Sequence, residues 1–445
     1  MVEALHDTSE GSTALAVCSP TGSISIGPHL DLPTNERLTP YAASNNLLAT
    51  GCVLLPSDVG DFTDKDGLVD AVRAFIHRYV DLSPLYEDIA TYYVLLSWVH
   101  DAFNESPYLR FQGEYGTGKT RALLTVGSIS YKPFFASGAS TVSPIFHVLD
   151  AFGGTLVLDE ADLRFSDATA DLTKILNNGS MKGLPVLRTM ANRHRELNPQ
   201  AFKVYGPKLI AMRNSFADEA LESRFLTERT GSRMMREDIE ISLPESMKAE
   251  ALALRNRLLA WRFAARNIVA IDPGRAVAGL SPRGNQMALP LLSLIDDEGL
   301  RERIAGDLVA GEARVATKRA AAPEATMVRV LANLFRTSPT YQPLSVVTMG
   351  YNEEAALRGE GPISIKSAGW IIRHKLGIES TKTRGVYVIP QSERGKVDTL
   401  AARYGVVTAT PDMTREGLGL GFLARSAKNM RQAHKVTPVS RQRRA

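Results

Sequence analysis

Two cysteines, Cys18 and Cys52, are all that this chain of 445 residues carries. That excludes a disulfide framework and a cysteine-ligated metal site, and suits a reducing compartment. Histidine is sparse as well: the eight are scattered, and none pairs at the spacing that would put two imidazoles on one helix face. Long apolar runs are missing, since the longest candidate, near residues 92–99, is broken by Ser97 and flanked by charge, far short of the roughly 20 residues of a membrane span. The chain opens with Glu3, His6, Asp7 and Glu10 in place of the basic and then apolar segment of a secretory signal. A cytoplasmic protein with no membrane partner is the expectation. Net charge is only +4, yet from Arg425 onward there are seven Lys or Arg and no acid. Such an end either touches nucleic acid or is simply solvated.

What is present begins with Gly113-Glu114-Tyr115-Gly116-Thr117-Gly118-Lys119-Thr120, which fits the phosphate-loop pattern G-x-x-x-x-G-K-[ST]. An apolar run at 108–112 reads as a strand before it, and residues 121–126 as a helix after it, the context the motif needs. Glycines let successive N–H groups turn inward around phosphates, and the helix start adds its positive end. Gly113, Gly116, Thr117, Gly118, Lys119, Thr120 and Arg121 are therefore candidate ATP contacts. Lys119 is assigned to the β- and γ-phosphates, Thr120 to Mg²⁺.

The second signal is Thr155-Leu-Val-Leu-Asp-Glu160. An apolar strand delivers two carboxylates at its C-terminal end, where ligands bind in open α/β sheets. Asp159 is the candidate Mg²⁺ ligand and Glu160 the base for the attacking water, a division that points to hydrolysis and away from a small-molecule kinase.

Along the chain, residues 1–45 mix Ser, Thr, Pro, Gly and Asn without periodicity and read as disordered. Residues 46–106 form a small helical region, with helices at 68–80 and from Pro84 to about Phe103. Residues 107–244 are the α/β core, with strands at 108–112, 133–137, 155–160, 208–212 and 238–243. Helices fall between them at 141–152, 167–176 and 217–225, and a hairpin around Lys182-Gly183 spans 180–188. Residues 245–317 read as a helical lid. After a linker, residues 325–392 offer helices at 327–335 and 365–376 and a strand at 383–389, the pattern of a winged helix-turn-helix. Residues 393–445 are the basic tail.

These motifs, with Gly206-Pro-Lys-Leu-Ile-Ala211 and Ala220-Leu-Glu-Ser-Arg-Phe225, resemble an AAA+ ATPase of the phage, plasmid and mobile-element replicative helicase type. They are similar to superfamily 3, primase-helicase and minichromosome maintenance modules, over roughly residues 65–300. The resemblance implies that Arg224 is an arginine finger serving a neighbouring subunit, that Arg213 or Asn214 is sensor 1, and that Arg283 is a sensor 2 contact to the γ-phosphate. It also puts Lys182 in a DNA-touching pore hairpin. Phosphate is the one feature every nucleotide shares, so a backbone-tracking lysine suits sequence-independent movement; an exposed turn would use the same residue.

In the winged-helix pattern, Lys366, Arg373, His374 and Lys375 fall on or beside the second helix, and Lys382 and Arg384 in the wing. A recognition helix with a basic wing uses such residues on duplex DNA, although winged helices also bind proteins. The expected activity is that of an ATP-dependent DNA helicase or translocase, a homo-oligomer and by resemblance a hexameric ring. A separate primase or initiator is a possible partner, because no primase or nuclease chemistry is evident. The alternative is a DNA-bound initiator, loader or transposition regulator in which ATP controls assembly without processive unwinding.

Overall fold

The computed structural model describes residues 1–159, 167–191, 197–216, 218–232 and 236–406. Two compact units divide the chain, Met1–Glu312 and a second beginning at Ala313. Residues 1–45 do not follow the expectation of disorder. Strands β1 (Val2–Asp7), β2 (Ser12–Cys18) and β3 (Ile24–Gly27) form an antiparallel meander, and β4 (Leu30–Asp31) pairs with β5 (Arg37–Leu38). The physical reason is a buried charge. Glu3 accepts from Arg262 Nε at 2.7 Å and from Tyr131 Oη at 2.8 Å, and its other oxygen lies 2.8 Å from Lys132 Nζ. Burial opposes the charge of Glu3, but the two cations outweigh it and hold its carboxyl below the ordinary range.

After the short α1 (Asn46–Ala49), Asp64 caps α2 (Lys65–Tyr79) by accepting from the Gly67 N–H at 2.7 Å, and Pro84 opens α3 (Pro84–Val99). The α/β core then runs β6 (Tyr108–Gln112), α4 (Lys119–Ser128), β7 (Phe134–Ser137), α5 (Val142–Phe152), β8 (Leu156–Asp159) and α6 (Asp167–Asn178). A hairpin of β9 (Val186–Ala191) and β10 (Leu197–Phe202) comes next, then β11 (Lys208–Met212), α7 (Glu219–Glu222) and β12 (Phe225–Arg229). The sheet is parallel in the order β12-β6-β11-β8-β7. Alternation along each strand supplies two apolar faces. Leu109, Phe111, Val157, Leu209, Ala211 and Leu226 pack toward α2, α3, α4, α8 (Ser246–Ala265) and α9 (Pro282–Leu292). Tyr108, Leu156, Leu158, Ile210 and Met212 pack toward α5, α6 and α7.

Two boundaries move. The fifth strand is β12, where a helix was expected to continue to Phe225, and residues 238–243 form no strand. Ile239 and Ile241 alternate as a strand would, yet Ile241 is almost fully exposed, while β12 buries Leu226 and Glu228, whose carboxylate accepts from Ser83 N and Oγ. The hairpin spans β9 and β10, so Lys182 precedes it. Its side chain donates to the Asp101 carbonyl at 2.7 Å.

The division between the units falls within α10 (Glu298–Ala320). The second unit contains α11 (Pro323–Thr337), β13 (Gln342–Pro343), α12 (Leu344–Leu357), α13 (Ile365–Trp370), a π turn at Ile371–Lys375, β14 (Thr381–Thr383), β15 (Val386–Ile389) and α14 (Arg394–Arg403). Helix α12 was not foreseen: Val346, Val347, Thr348 and Gly350 are weak helix formers. Packing explains it, because a Cβ on Gly350 would stand 2.9 Å from Val330 of α11. The expected strand at 383–389 is a hairpin that turns through Arg384 and Gly385, at φ 49° and 84°. Helix α14 buries Val397 and Ala401 in the same core, so the part of 393–445 up to residue 406 is folded. The rest of the basic tail lies outside the described residues. Among them, no helix is long and apolar enough to cross a membrane.

Candidate nucleotide site

The loop between β6 and α4 is built by close approach. Gly116 and Gly118 take φ values of 76° and 84°, a region closed to most side chains. Gly113 has no room for a side chain, since a Cβ would meet Thr230 Oγ1 at 2.5 Å and Thr117 Oγ1 at 2.7 Å. Thr230, just past β12, closes the loop from the side. Its N–H donates to the Gln112 carbonyl at 2.8 Å, and its hydroxyl is 2.8 Å from that of Thr117. Thr230 was not foreseen from the sequence; the signal was the adjoining Gly231, whose own Cβ would strike Thr117 Cγ2 at 2.4 Å.

Lys119 Nζ donates to the Glu114 carbonyl at 2.5 Å, so the lysine lies across its own loop. Thr120 Oγ1 donates to Asp159 Oδ2 at 2.8 Å. Two motifs 39 residues apart in sequence thus meet through hard oxygen atoms. Strand β11 stands between the two strands that carry them, which opens a crevice at their C-terminal ends. Among the described residues no group of three His, Cys, Asp or Glu side chains gathers to hold a metal. Thr120 and Asp159 nevertheless fit Mg²⁺, which takes one or two protein oxygens and completes its shell with phosphate and water.

Arg213 and Asn214 come directly after β11, and Gln112 Nε2 donates to the Arg213 carbonyl at 3.1 Å, keeping this segment beside the phosphate-loop strand. Arg121 is a correction. It points away from the loop, donating to the carbonyls of Tyr79 at 2.6 Å and Ile241 at 3.0 Å, because the residue three places into α4 faces α2 and not the crevice. Glu160 lies outside the described residues.

Arg224 and Arg283 sit elsewhere. The Arg224 carbonyl accepts from Tyr108 N at 2.9 Å, so Arg224 is at the beginning of β6 and the phosphate loop at its end, about 16 Å away at ~3.3 Å per residue. Arg283, at the start of α9, donates to Ser223 Oγ at 2.9 Å and is exposed. The Arg224 side chain is buried, donating to Ser180 Oγ at 2.8 Å, Asn177 O at 3.0 Å and Ala220 O. Burial and the nearby Arg283 lower its proton affinity. Neither arginine faces its own chain's phosphate loop, and of the two only Arg283 presents its guanidinium at the surface.

Lys182 stacks 5.6 Å from the Tyr205 ring, near Asp101. The hairpin's own connection is residues 192–196, whose sequence includes Arg193, His194 and Arg195 and which lie outside the described residues. In the second unit Lys366, Arg373, Lys375, Lys382 and Arg384 are all exposed.

No family profile matches the chain, and neither does any curated protein. Among solved structures, it is similar to an active helicase, Cch of SCCmec type IV, at 11% identity and a TM-score of 0.36, over 89% of this chain and 94% of that one. The NrS-1 C-terminal region (305–718) matches at 12% identity and 0.34, over 87% and 96%. A full-length MCM homolog from Methanopyrus kandleri matches at 12% identity and 0.37, over 69% and 75%.

Proposed function

We propose that this protein is an ATP-dependent DNA helicase or translocase that works as a homo-oligomeric ring, by resemblance a hexamer, in the cytoplasm during replication of a mobile element or phage. The observation that carries the reading is the placement of two cations, Arg224 and Arg283, at the end of the sheet opposite the phosphate loop. Arg283, exposed there, can serve a nucleotide only if it is bound to another copy, and the buried Arg224 acts by backing it.

Thr120 and Asp159 would hold Mg²⁺, which when bound neutralises charge on the phosphates of ATP. The N–H groups at Gly116, Thr117, Gly118 and the first turn of α4 bind phosphate oxygens, helped by the helix dipole. Lys119 exchanges the Glu114 carbonyl for the β- and γ-phosphates. Glu160 takes the proton of the attacking water, while Arg213 or Asn214 orients it. Arg283, backed by Arg224, meets the neighbour's γ-phosphate as charge builds there, which couples hydrolysis to assembly.

The second unit supports DNA binding. Its helices α11, α12 and α13 with the sheet β13-β15-β14 have the order of a winged helix, with the basic residues on α13 and the hairpin. Lys182 is a proposed DNA contact of the ring.

The test is ATP hydrolysis and strand displacement by the full-length chain on a forked duplex. Hydrolysis stimulated by single strands, with displacement, supports the reading. Binding that depends on ATP without displacement would instead make it an assembly switch, such as an initiator or loader.

A further inference from the structure

Among the exposed aromatic side chains of the second unit, which include Tyr341, two fall within its basic segment at 364–387. Trp370, at the end of α13, is 50% exposed and Tyr387, on β15, is 49% exposed. The chain's other two tryptophans, Trp98 and Trp261, are 0% and 2% exposed, so Trp370 alone offers its ring to solvent.

Cations stand around both rings. Lys375 Nζ is 5.9 Å from the Trp370 ring, and the His374 ring is 5.7 Å from it. The Arg373 guanidinium is 6.0 Å from the Tyr387 ring and Lys382 Nζ is 5.9 Å from it. Arg373 is held between helix and hairpin by donating to Ser380 Oγ at 3.1 Å. The π turn matters here, since Leu376 N donates to the Ile371 carbonyl five residues back. This widened turn carries Arg373, His374 and Lys375 together, the kind of local distortion found at functional sites. From Ser364 to Tyr387 there are five Lys or Arg and a single acid, Glu379.

Basic residues alone would satisfy a duplex, whose base faces are hidden in its own stack. Exposed rings alternating with cations match a different ligand: unpaired bases stack on the rings while the cations take the phosphates. We infer that the face formed by α13, the π turn and the β14–β15 hairpin is a stacking platform for single-stranded nucleic acid, with Trp370 and Tyr387 each taking a base. This rests on the DNA-directed reading of the second unit and narrows it from duplex to unpaired strand. An apolar protein partner fits the surplus of cations poorly.

The experiment compares full-length wild type, Trp370→Ala, Tyr387→Ala, Trp370→Phe and Lys382→Ala on labelled oligothymidine and on a blunt duplex of equal length, across salt concentrations. Each alanine aromatic variant should bind oligothymidine about 10-fold more weakly, with duplex affinity kept and the salt dependence unaltered. Lys382→Ala should lower the salt slope by about 1. Oligothymidine should quench tryptophan emission in wild type but not in Trp370→Phe, which keeps its affinity. Equal losses on both nucleic acids, or none, would overturn the platform. If Lys382→Ala weakens binding while the aromatic variants do not, the platform fails and the DNA reading stands. If wild type binds neither nucleic acid, both fail, and the face belongs to a protein partner.

Discussion

Tyr108 donates its backbone N–H to the carbonyl of Arg224 at 2.9 Å, which fixes the arginine at the start of β6 while the phosphate loop leaves from that strand's other end. A strand is stiff over this length. One chain therefore does not bring Arg224 and its own phosphate loop to one nucleotide, and the proposal that the chemistry is divided between copies rests on this separation.

Lys119→Ala removes the loop's side-chain cation and should weaken ATP binding about 100-fold, the size of a lost charge-assisted contact of about 3 kcal/mol. Calorimetric titration checks it. Gly113→Ala should do the same for a steric reason, because the added Cβ would meet the Thr230 carbonyl at 2.6 Å as well as its hydroxyl. Wild-type affinity in both variants would mean that ATP binds elsewhere.

Glu160→Gln should leave ATP bound and slow its hydrolysis about 100-fold, since the attacking water loses its base. Asp159→Asn should instead lose the Mg²⁺ dependence of binding. If the two variants cannot be told apart by metal titration, the division of labour between these carboxylates is wrong.

Glu3→Gln leaves Arg262 and Lys132 buried with one partner fewer, at a cost of about 3 kcal/mol. The urea midpoint of the full-length chain should fall accordingly. An unchanged midpoint would contradict the packing of β1 on the core.

His100 is buried, with Nδ1 2.7 Å from the Ser97 carbonyl, and burial pushes its pKa down from 6.5 to about 4. Between those values the unfolded chain binds a proton that the folded chain does not, so stability rises with pH across this window. Acidification from pH 6.5 to 4 should remove up to about 3 kcal/mol through this group. His100→Gln should flatten that part of the profile in urea unfolding measured against pH.

The phosphate loop and the Asp159 strand were legible because their chemistry is local: glycines at fixed spacing and an apolar run ending in carboxylates. Strands β6, β8 and β11 emerged from the same apolar runs. What escaped depends on distant partners. Glu3 finds its cations 129 and 259 residues away, so no local pattern marks β1 as a strand. Thr230 enters the site through the neighbouring β12, and α12 exists because Gly350 lets it approach α11. The place of Arg283 beside Ser223 is likewise a tertiary fact, for its sequence motif is silent about which end of the sheet it joins.

Whether hydrolysis is shared between copies is decided by mixing subunits. Lys119→Ala subunits keep their arginines, and Arg283→Ala or Arg224→Ala subunits keep an intact loop. Arg283 is exposed, so its removal should leave the fold unchanged even if loss of the buried Arg224 does not. Each variant alone should hydrolyse little ATP, and mixing should restore part of the activity, because some interfaces then pair an intact loop with intact arginines. Co-assembly proven by light scattering with no recovery of hydrolysis would contradict the division of chemistry between copies.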